Sequence, residues 1–183
     1  MKKRLLFLGP PGAGKGTQAN LISTKYKLLH LSTGDLLRAE VNAGSEYGKE
    51  AKTIMERGEL VSDELVLAIV KKKLSSKNSA GWLLDGFPRN VSQAVALEIL
   101  LKEINQPIQS VVVIEVSDSI LLKRLLSRGR SDDNEEVIKH RLEIYRQKTS
   151  PLVEYYTKQG LVSIVQGDGD VEQIEKRILE TIC

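Results

Sequence analysis

The stretch from Lys3 to Lys25 constrains this chain more than any other. Arg4-Leu5-Leu6-Phe7-Leu8 is strand material that breaks into Gly9-Pro10-Pro11-Gly12-Ala13-Gly14-Lys15-Gly16-Thr17. Gln18 to Lys25 then reads as helix, with Leu21 and Ile22 apolar and Lys25 in the last turn. A glycine-rich turn joining a strand to a helix is the context that a phosphate-binding loop requires. Glycines permit the positive φ angles and the close approach by which several backbone N–H groups converge on phosphate oxygens. The helix contributes its free N-terminal N–H groups and the positive end of its dipole. Lys15 supplies a mobile point charge for the β- and γ-phosphates, whereas Pro10 and Pro11 have no N–H and shape the loop.

The pattern Gly9-x-x-x-x-Gly14-Lys15 matches a Walker A loop, except that Gly16 stands where Ser or Thr is usual and the hydroxyl is deferred to Thr17. Four further strands are expected, at Lys27–Leu31, at Gly81–Asp85, at Val111–Val116 and at Leu161–Val165, separated by helical patterns. The apolar run of Trp82-Leu83-Leu84 reads as a strand buried on both faces. Strands alternating with helices specify a doubly wound parallel sheet with right-handed crossovers. The fold class is therefore α/β, a P-loop NTPase-type core with a five-stranded parallel sheet flanked by helices.

Between the strands, Ser32-Thr33-Gly34-Asp35 offers a cap for a helix through Val41. Gly44 and Gly48 punctuate a break, and Glu50 to Glu56 suggests a short helix closed by Gly58. Ser62-Asp63-Glu64 starts another helix, which ends in Lys71-Lys72-Lys73. Asn90 to Lys102 carries Val91, Val95 and Ile99 at helical spacing. After Arg128 a polar turn leads into a long helix with Ile138, Leu142 and Tyr145 on one stripe and Pro151 within or kinking it. A last helix is expected to turn Val171, Ile174 and Ile178 inward.

Composition narrows the partners. The 183 residues suit a single domain, and a net charge of +3 is too small to imply a nucleic-acid or membrane partner. Aromatic residues at 4% argue against a base-stacking surface. The single cysteine, Cys183, excludes an internal disulfide and a cysteine zinc site. No apolar run approaches the ~20 residues of a membrane span, and the basic start at Met1-Lys2-Lys3-Arg4 carries no cleavable small-residue site, so a cytoplasmic location is expected.

The basic residues that matter are Lys15, Arg38, Arg89, Arg124, Arg128, Arg130 and Arg141. Arg124 and Arg128, four apart, share a helix face. Arg89 follows a buried strand across the turn Gly86-Phe87-Pro88, and Asp85 falls at that strand's C-terminal end, the edge where open α/β sheets place ligands. Phosphoryl transfer is catalysed by positioning and electrostatics, to which such arginines are suited. An acceptor that is itself a phosphate needs no general base, in keeping with a chain that has two histidines and no triad. Asp85 could hold Mg²⁺ through water.

With these residues assembled, the chain resembles the nucleoside monophosphate kinases, most closely the adenylate kinase family, over its whole length. The motifs are the Gly9–Thr17 loop, Ser32-Thr33-Gly34-Asp35, Asp85-Gly86-Phe87-Pro88-Arg89 followed by Gln93, and Arg130-Ser131-Asp132-Asp133-Asn134 followed by Arg141. The resemblance implies the reversible reaction of MgATP with AMP to give two ADP. It implies a core at 1–31, 62–127 and 134–183, a helical monophosphate-binding segment at 32–61, and a very short lid at 128–133. Thr33, Gly34, Arg38, Met55, Glu59, Leu60, Val61, Gly86, Arg89 and Gln93 match AMP-contacting positions. Gly12, Ala13, Gly14, Lys15, Gly16 and Thr17, with Arg124, Arg128 and Gly167, match the ATP side. Arg130 and Arg141 match positions that clamp the phosphoryl group between the two nucleotides, and with Lys15, Arg89 and Arg128 they form the implied catalytic set. Asp35 and Asp85 match positions that order water around Mg²⁺.

The lid departs from long bacterial members, which carry an insertion there, so no structural zinc is implied. A monomer acting on ATP and AMP, with no nucleic acid and no membrane, is expected. Closure is expected to come from rotation of the 32–61 segment and of the helices flanking residue 130. A UMP/CMP kinase shares the loop and the Asp-Gly-Phe-Pro-Arg motif; Thr33, where pyrimidine kinases usually carry Ala or Ser, favours adenine. A P-loop switch that uses nucleotide without turnover would leave Arg38, Arg89 and Arg141 without a role.

Overall fold

The computed structural model describes residues 1–75, 80–129 and 134–183, apart from the side chain of Tyr47. Its strands are β1 (Arg4–Leu8), β2 (Leu29–Ser32), β3 (Trp82–Asp85), β4 (Ser110–Glu115) and β5 (Val162–Gln166). The helices are α1 (Lys15–Tyr26), α2 (Thr33–Ala43), α3 (Glu46–Glu56), α4 (Asp63–Leu74), α5 (Val91–Glu103), α6 (Asp118–Arg128), α7 (Glu135–Ile144), α8 (Pro151–Thr157) and α9 (Val171–Ile182).

The strands form one sheet in the order β2-β3-β1-β4-β5, and every pairing is parallel. The apolar runs in β1, β3 and β4 follow from helices covering both faces. Successive residues alternate between two cores. Leu6, Leu8, Leu84, Val111 and Val113 face the core under α4, α5 and α8. Leu5, Phe7, Leu83, Val112 and Ile114 face the core under α1, α6, α7 and α9. Each fully buried leucine or phenylalanine of this kind contributes about 1.5–3 kcal/mol.

After β1 the chain crosses to β2 on one side, and after β3 it crosses to β4 on the other. The carboxyl ends of β1 and β3 therefore flank the crevice where connections diverge, and open α/β sheets bind ligands there. The register places Asp85, the last residue of β3, beside Phe7 of β1 and Ser32 of β2.

Several local expectations are corrected. Lys27 is the C-cap of α1 in left-handed conformation (φ 55°), which delays β2 to Leu29. α3 starts at Glu46, capped by Ser45, and contains Gly48. The glycine is there for close approach: a Cβ on it would lie 2.1 Å from the Glu40 carbonyl oxygen of α2. The long helix after Asn134 is broken by a π turn over Tyr145–Thr149, with Ser150 N donating to Tyr145 O at 2.8 Å, and Pro151 opens α8 at a position where its missing N–H costs nothing. Val91, Val95 and Ile99 form the exposed face of α5, because Gln93, Ala94, Leu97, Leu100 and Leu101 occupy the buried one. Val171 is likewise exposed, whereas Ile174 and Ile178 are buried. The expected lid residues 130–133, Arg130 among them, lie outside the described residues.

Candidate active site

The Gly9–Thr17 segment wraps the N-terminus of α1 at the C-terminal edge of the sheet. Gly12 has φ +84°, and a Cβ there would press on Leu125 Cγ at 2.9 Å, so both backbone angle and packing demand glycine. Gly14 caps α1 with φ 94°, leaving the first turn of the helix with no acidic residue to compete for an anion. Lys15 bends back over the loop, where its Nζ donates to Gly9 O at 2.7 Å and to Pro10 O at 2.9 Å. Its pKa is lowered to about 8, mainly by burial. Asp85 pulls the other way, and Arg89, Arg141 and Arg128 add to the lowering.

Asp85 is 7% exposed and faces α1 so closely that a Cβ on Gly16 would sit 3.3 Å from its Oδ2. A side chain at residue 16 would crowd this carboxylate, which gives the shift of the hydroxyl to Thr17 a structural setting. Arg124 ties two loops together. Its Nη2 donates to Gly167 O at 3.0 Å and its Nη1 reaches Ala13 O at 3.5 Å. From the far side, Arg177 of α9 donates to Gln166 O at 2.8 Å and to Asp168 O at 2.6 Å. Three successive carbonyls of the 166–168 turn are thus held by two guanidinium groups.

A cleft of about 930 Å³ opens over the loop. It is lined by Gly12, Gly14, Lys15, Gly16 and Thr17, by Asp35 and Asp85, and by Arg38, Arg89, Arg124, Arg128 and Arg141. Ala13 lies buried behind it, and Gly167 enters through its bond to Arg124. A second, narrow pocket of about 40 Å³ branches off. Around it stand Thr33, Gly34, Arg38, Met55, Glu59, Leu60, Val61, Gly86, Arg89, Gln93 and Arg141. Arg38, Arg89 and Arg141 border both cavities.

The turn after β3 is held from several sides. Gly86 O accepts from Thr33 Oγ1 at 2.9 Å and from Arg89 Nε at 2.7 Å, and Thr149 Oγ1 of the π turn donates to Arg89 O at 2.7 Å. The Phe87–Pro88 peptide is cis. The Arg89 guanidinium has its pKa pushed down to about 10, first by burial and then by Arg141, with Asp85 opposing and Arg38 adding a smaller repulsion. Guanidinium groups concentrated in this way form a site that only anions relieve. Arg38 Nη2 meets Asp35 Oδ1 at 2.5 Å. The stem of Arg141 lies on Gly58, where a Cβ would be 2.9 Å from its Cγ, so α7 and the 32–61 segment meet across this glycine.

Among the described residues no group of three or more His, Cys, Asp or Glu side chains is arranged to hold a metal, and no helix is long and apolar enough to cross a membrane. The model of the adenylate kinase family matches residues 7–161. The chain belongs to the adenylate kinase family. Similar adenylate kinases include one from Synechococcus sp. (strain CC9311), 63% identical over 178 residues, with 97% of each chain covered. One from Prochlorococcus marinus (strain MIT 9211) is 64% identical over 174 residues, covering 95% of this chain and 94% of its own. Another, from Prochlorococcus marinus (strain MIT 9303), is 60% identical over 183 residues and covers both chains completely.

Sequence reasoning about this adenylate kinase family member did not single out Asp63, Thr149 or Arg177. Asp63 was visible only as an acid in the first turn of a helix, and Arg177 only as one cation among many on α9. The signal that finds them is tertiary: Asp63 meets Gln93, Thr149 meets Arg89, and Arg177 folds back onto the carbonyls of the turn before its own helix.

Proposed function

We propose that this chain catalyses the reversible transfer of the terminal phosphoryl group of MgATP to AMP, giving two ADP. The observation that carries this is the arrangement of two cavities separated by shared arginines, with Arg38, Arg89 and Arg141 bordering both. Two anionic ligands seated in such cavities meet end to end across those guanidinium groups. The larger cleft, over the phosphate-binding loop, takes ATP through Gly12, Ala13, Gly14, Lys15, Gly16 and Thr17, with Arg128 toward its phosphates and Arg124 and the Gly167 turn completing the ATP side. The smaller takes AMP through Thr33, Gly34, Arg38, Met55, Glu59, Leu60, Val61, Gly86, Arg89 and Gln93, with Arg130 and Arg141 completing the phosphate clamp.

An AMP phosphate oxygen attacks the γ-phosphorus while the bond to the β,γ-bridging oxygen breaks, and the electron pair stays on ADP. The attacking oxygen is already anionic, so no base is needed. Lys15 exchanges its bonds to Gly9 O and Pro10 O for the transferring phosphoryl oxygens. Arg89, Arg128, Arg130 and Arg141 stabilise its equatorial charge, an effect worth ~10³ or more in rate for one well-placed arginine.

The donor set fits magnesium. Asp85, buried at the cleft beside Gly16, and Asp35 at its rim offer hard oxygen ligands, and Mg²⁺ characteristically keeps several waters and uses one or two carboxylates together with substrate phosphates. When bound, the ion neutralises charge on the β- and γ-phosphates. The narrow acceptor pocket is smaller than a nucleotide, which supports opening and closure of the 32–61 segment against a core of 1–31, 62–127 and 134–183, with 128–133 as a short lid. We take the working form to be a cytoplasmic monomer.

The test is ADP formation from MgATP with AMP, CMP, UMP and GMP as separate acceptors. Strong preference for AMP is the expected result. Preference for CMP or UMP would replace the base assignment, and no transfer to any acceptor would refute the reaction.

A further inference from the structure

Gln93 is the carboxamide of the acceptor pocket, and it is 3% exposed. Its backbone is fixed by the cap of α5, where Asn90 Oδ1 accepts from Gln93 N at 2.8 Å. Its side chain is fixed by two further partners. Oε1 accepts from Arg89 N at 2.7 Å, and Nε2 donates to Asp63 Oδ1 at 2.5 Å.

A carboxamide can occupy a site in either of two senses, with oxygen and nitrogen exchanged. Here the partners remove the choice. The Arg89 N–H can only donate and the Asp63 carboxylate can only accept, so oxygen must face Arg89 and nitrogen must face Asp63. Asp63 is itself held at the start of α4, with Ser92 Oγ 2.9 Å from its Oδ2 and Asn90 Nδ2 3.4 Å from its Oδ1.

We propose that Asp63 is a positioning residue that fixes the sense in which Gln93 reads the acceptor base. It thereby selects bases with an exocyclic amino group beside a ring-nitrogen acceptor over bases with an oxo group beside a ring N–H. This rests on the reading above that the pocket takes a nucleoside monophosphate. With one N–H and one lone pair engaged, Gln93 retains one N–H to give and one lone pair to receive. In its fixed sense it can donate to the ring nitrogen and accept from the amino group of adenine.

Hypoxanthine, guanine and uracil present these groups in the reverse order. Rotating the carboxamide to meet them would set Oε1 against the Asp63 carboxylate and the amide nitrogen against the Arg89 N–H, turning two buried hydrogen bonds into two repulsions. Sliding the base instead is opposed at the other end of the nucleotide, where Arg38, Arg89 and Arg141 hold the phosphate. The apolar wall of Leu37, Val61 and Val66 contacts both kinds of base alike and makes no such distinction.

The experiment compares kcat and KM for AMP and IMP, which differ by the amino-to-oxo exchange, and for CMP and UMP, with MgATP as donor. The enzymes are the intact protein, Asp63→Asn and Asp63→Glu. The intact protein should prefer AMP over IMP and CMP over UMP. Asp63→Asn, which can present either an oxygen or an N–H to Gln93, should lower the AMP-to-IMP ratio about tenfold, the scale of one hydrogen bond to a charged partner. The change should fall on acceptor KM more than on kcat, and Asp63→Glu should restore the ratio. A ratio unchanged in Asp63→Asn, or equal losses with AMP and IMP as a weakened fold would produce, overturns the proposal. If Asp63→Asn does not fold, the intact protein decides: equal use within both acceptor pairs overturns it. Failure to use any monophosphate overturns the phosphoryl-transfer reading as well, and so is told apart from a loss of selectivity alone.

Discussion

Nucleotide binding should be coupled to proton uptake at Lys15, and the coupling can be calculated. Lys15 has a pKa of about 8 in the protein alone, because burial and the neighbouring Arg89, Arg141 and Arg128 disfavour its charge more than Asp85 favours it. A bound polyphosphate places several negative oxygens against the ammonium and raises its pKa well above that value. The bound state therefore holds more protons than the free state wherever the free lysine is partly neutral. By linkage, uptake on binding is ~0.1 proton at pH 7, ~0.5 at pH 8 and ~0.9 at pH 9, and affinity falls as pH rises, by about tenfold between pH 7 and pH 9. Nucleotide phosphates, with a last pKa near 6, still carry ~0.1 proton at pH 7 and almost none by pH 8, so their release on binding offsets the uptake at pH 7 and leaves the values at pH 8 and pH 9 in place. Calorimetric titration with a non-hydrolysable ATP analogue, in two buffers of different ionisation enthalpy, measures the uptake directly. Lys15→Arg should flatten both trends, since a guanidinium stays charged throughout. Uptake no greater at pH 9 than at pH 7 would refute the reasoning.

Three other perturbations separate the parts of the site. Thr33→Ala removes one bond to Gly86 O, which keeps its second donor, Arg89 Nε. The cost should be about 1 kcal/mol, seen as a fall of roughly 2–4 °C in Tm by differential scanning calorimetry. Gly48→Ala drives a Cβ into the Glu40 carbonyl and should destabilise by about 1–3 kcal/mol, with steady-state kinetics showing a larger rise in KM for AMP than for MgATP, because α2 and α3 border the acceptor pocket. Arg177→Ala frees the Gln166 and Asp168 carbonyls and should raise KM for MgATP by up to about tenfold while acceptor KM stays put.

The sequence made the sheet legible because strands buried on both faces leave unbroken apolar runs, as in Leu5–Leu8 and Val111–Ile114, and because the loop's glycines and lysine sit at fixed offsets. The sheet order was fixed only by tertiary pairing. Residues around the acceptor pocket could be gathered from motifs, since Thr33, Arg89 and Gln93 stand next to strand ends. Periodicity located α5 without deciding which of its two apolar faces is buried. Val91, Val95 and Ile99 are spaced like a core stripe, yet Leu97 and Leu101 are the residues that reach the core. Asp63 and Arg177 were invisible for a different reason: their partners are 30 residues away at Gln93 and in the loop preceding α9, and local pattern carries no information about such contacts.

The π turn at Tyr145–Thr149 adds one residue to what would otherwise be a continuous helix, turning everything beyond it by about 100°. Before it, Ile138 and Leu142 pack on one face of the sheet; after it, Leu152 and Tyr156 pack on the other, while Arg141 stays aimed at the cleft. This segment encodes a count more than a composition. Its exposed members, Arg146, Gln147 and Lys148, should accept many substitutions, whereas deleting any one of them would force the helix to choose between seating its leucine and tyrosine in the core and presenting its arginine to the cleft.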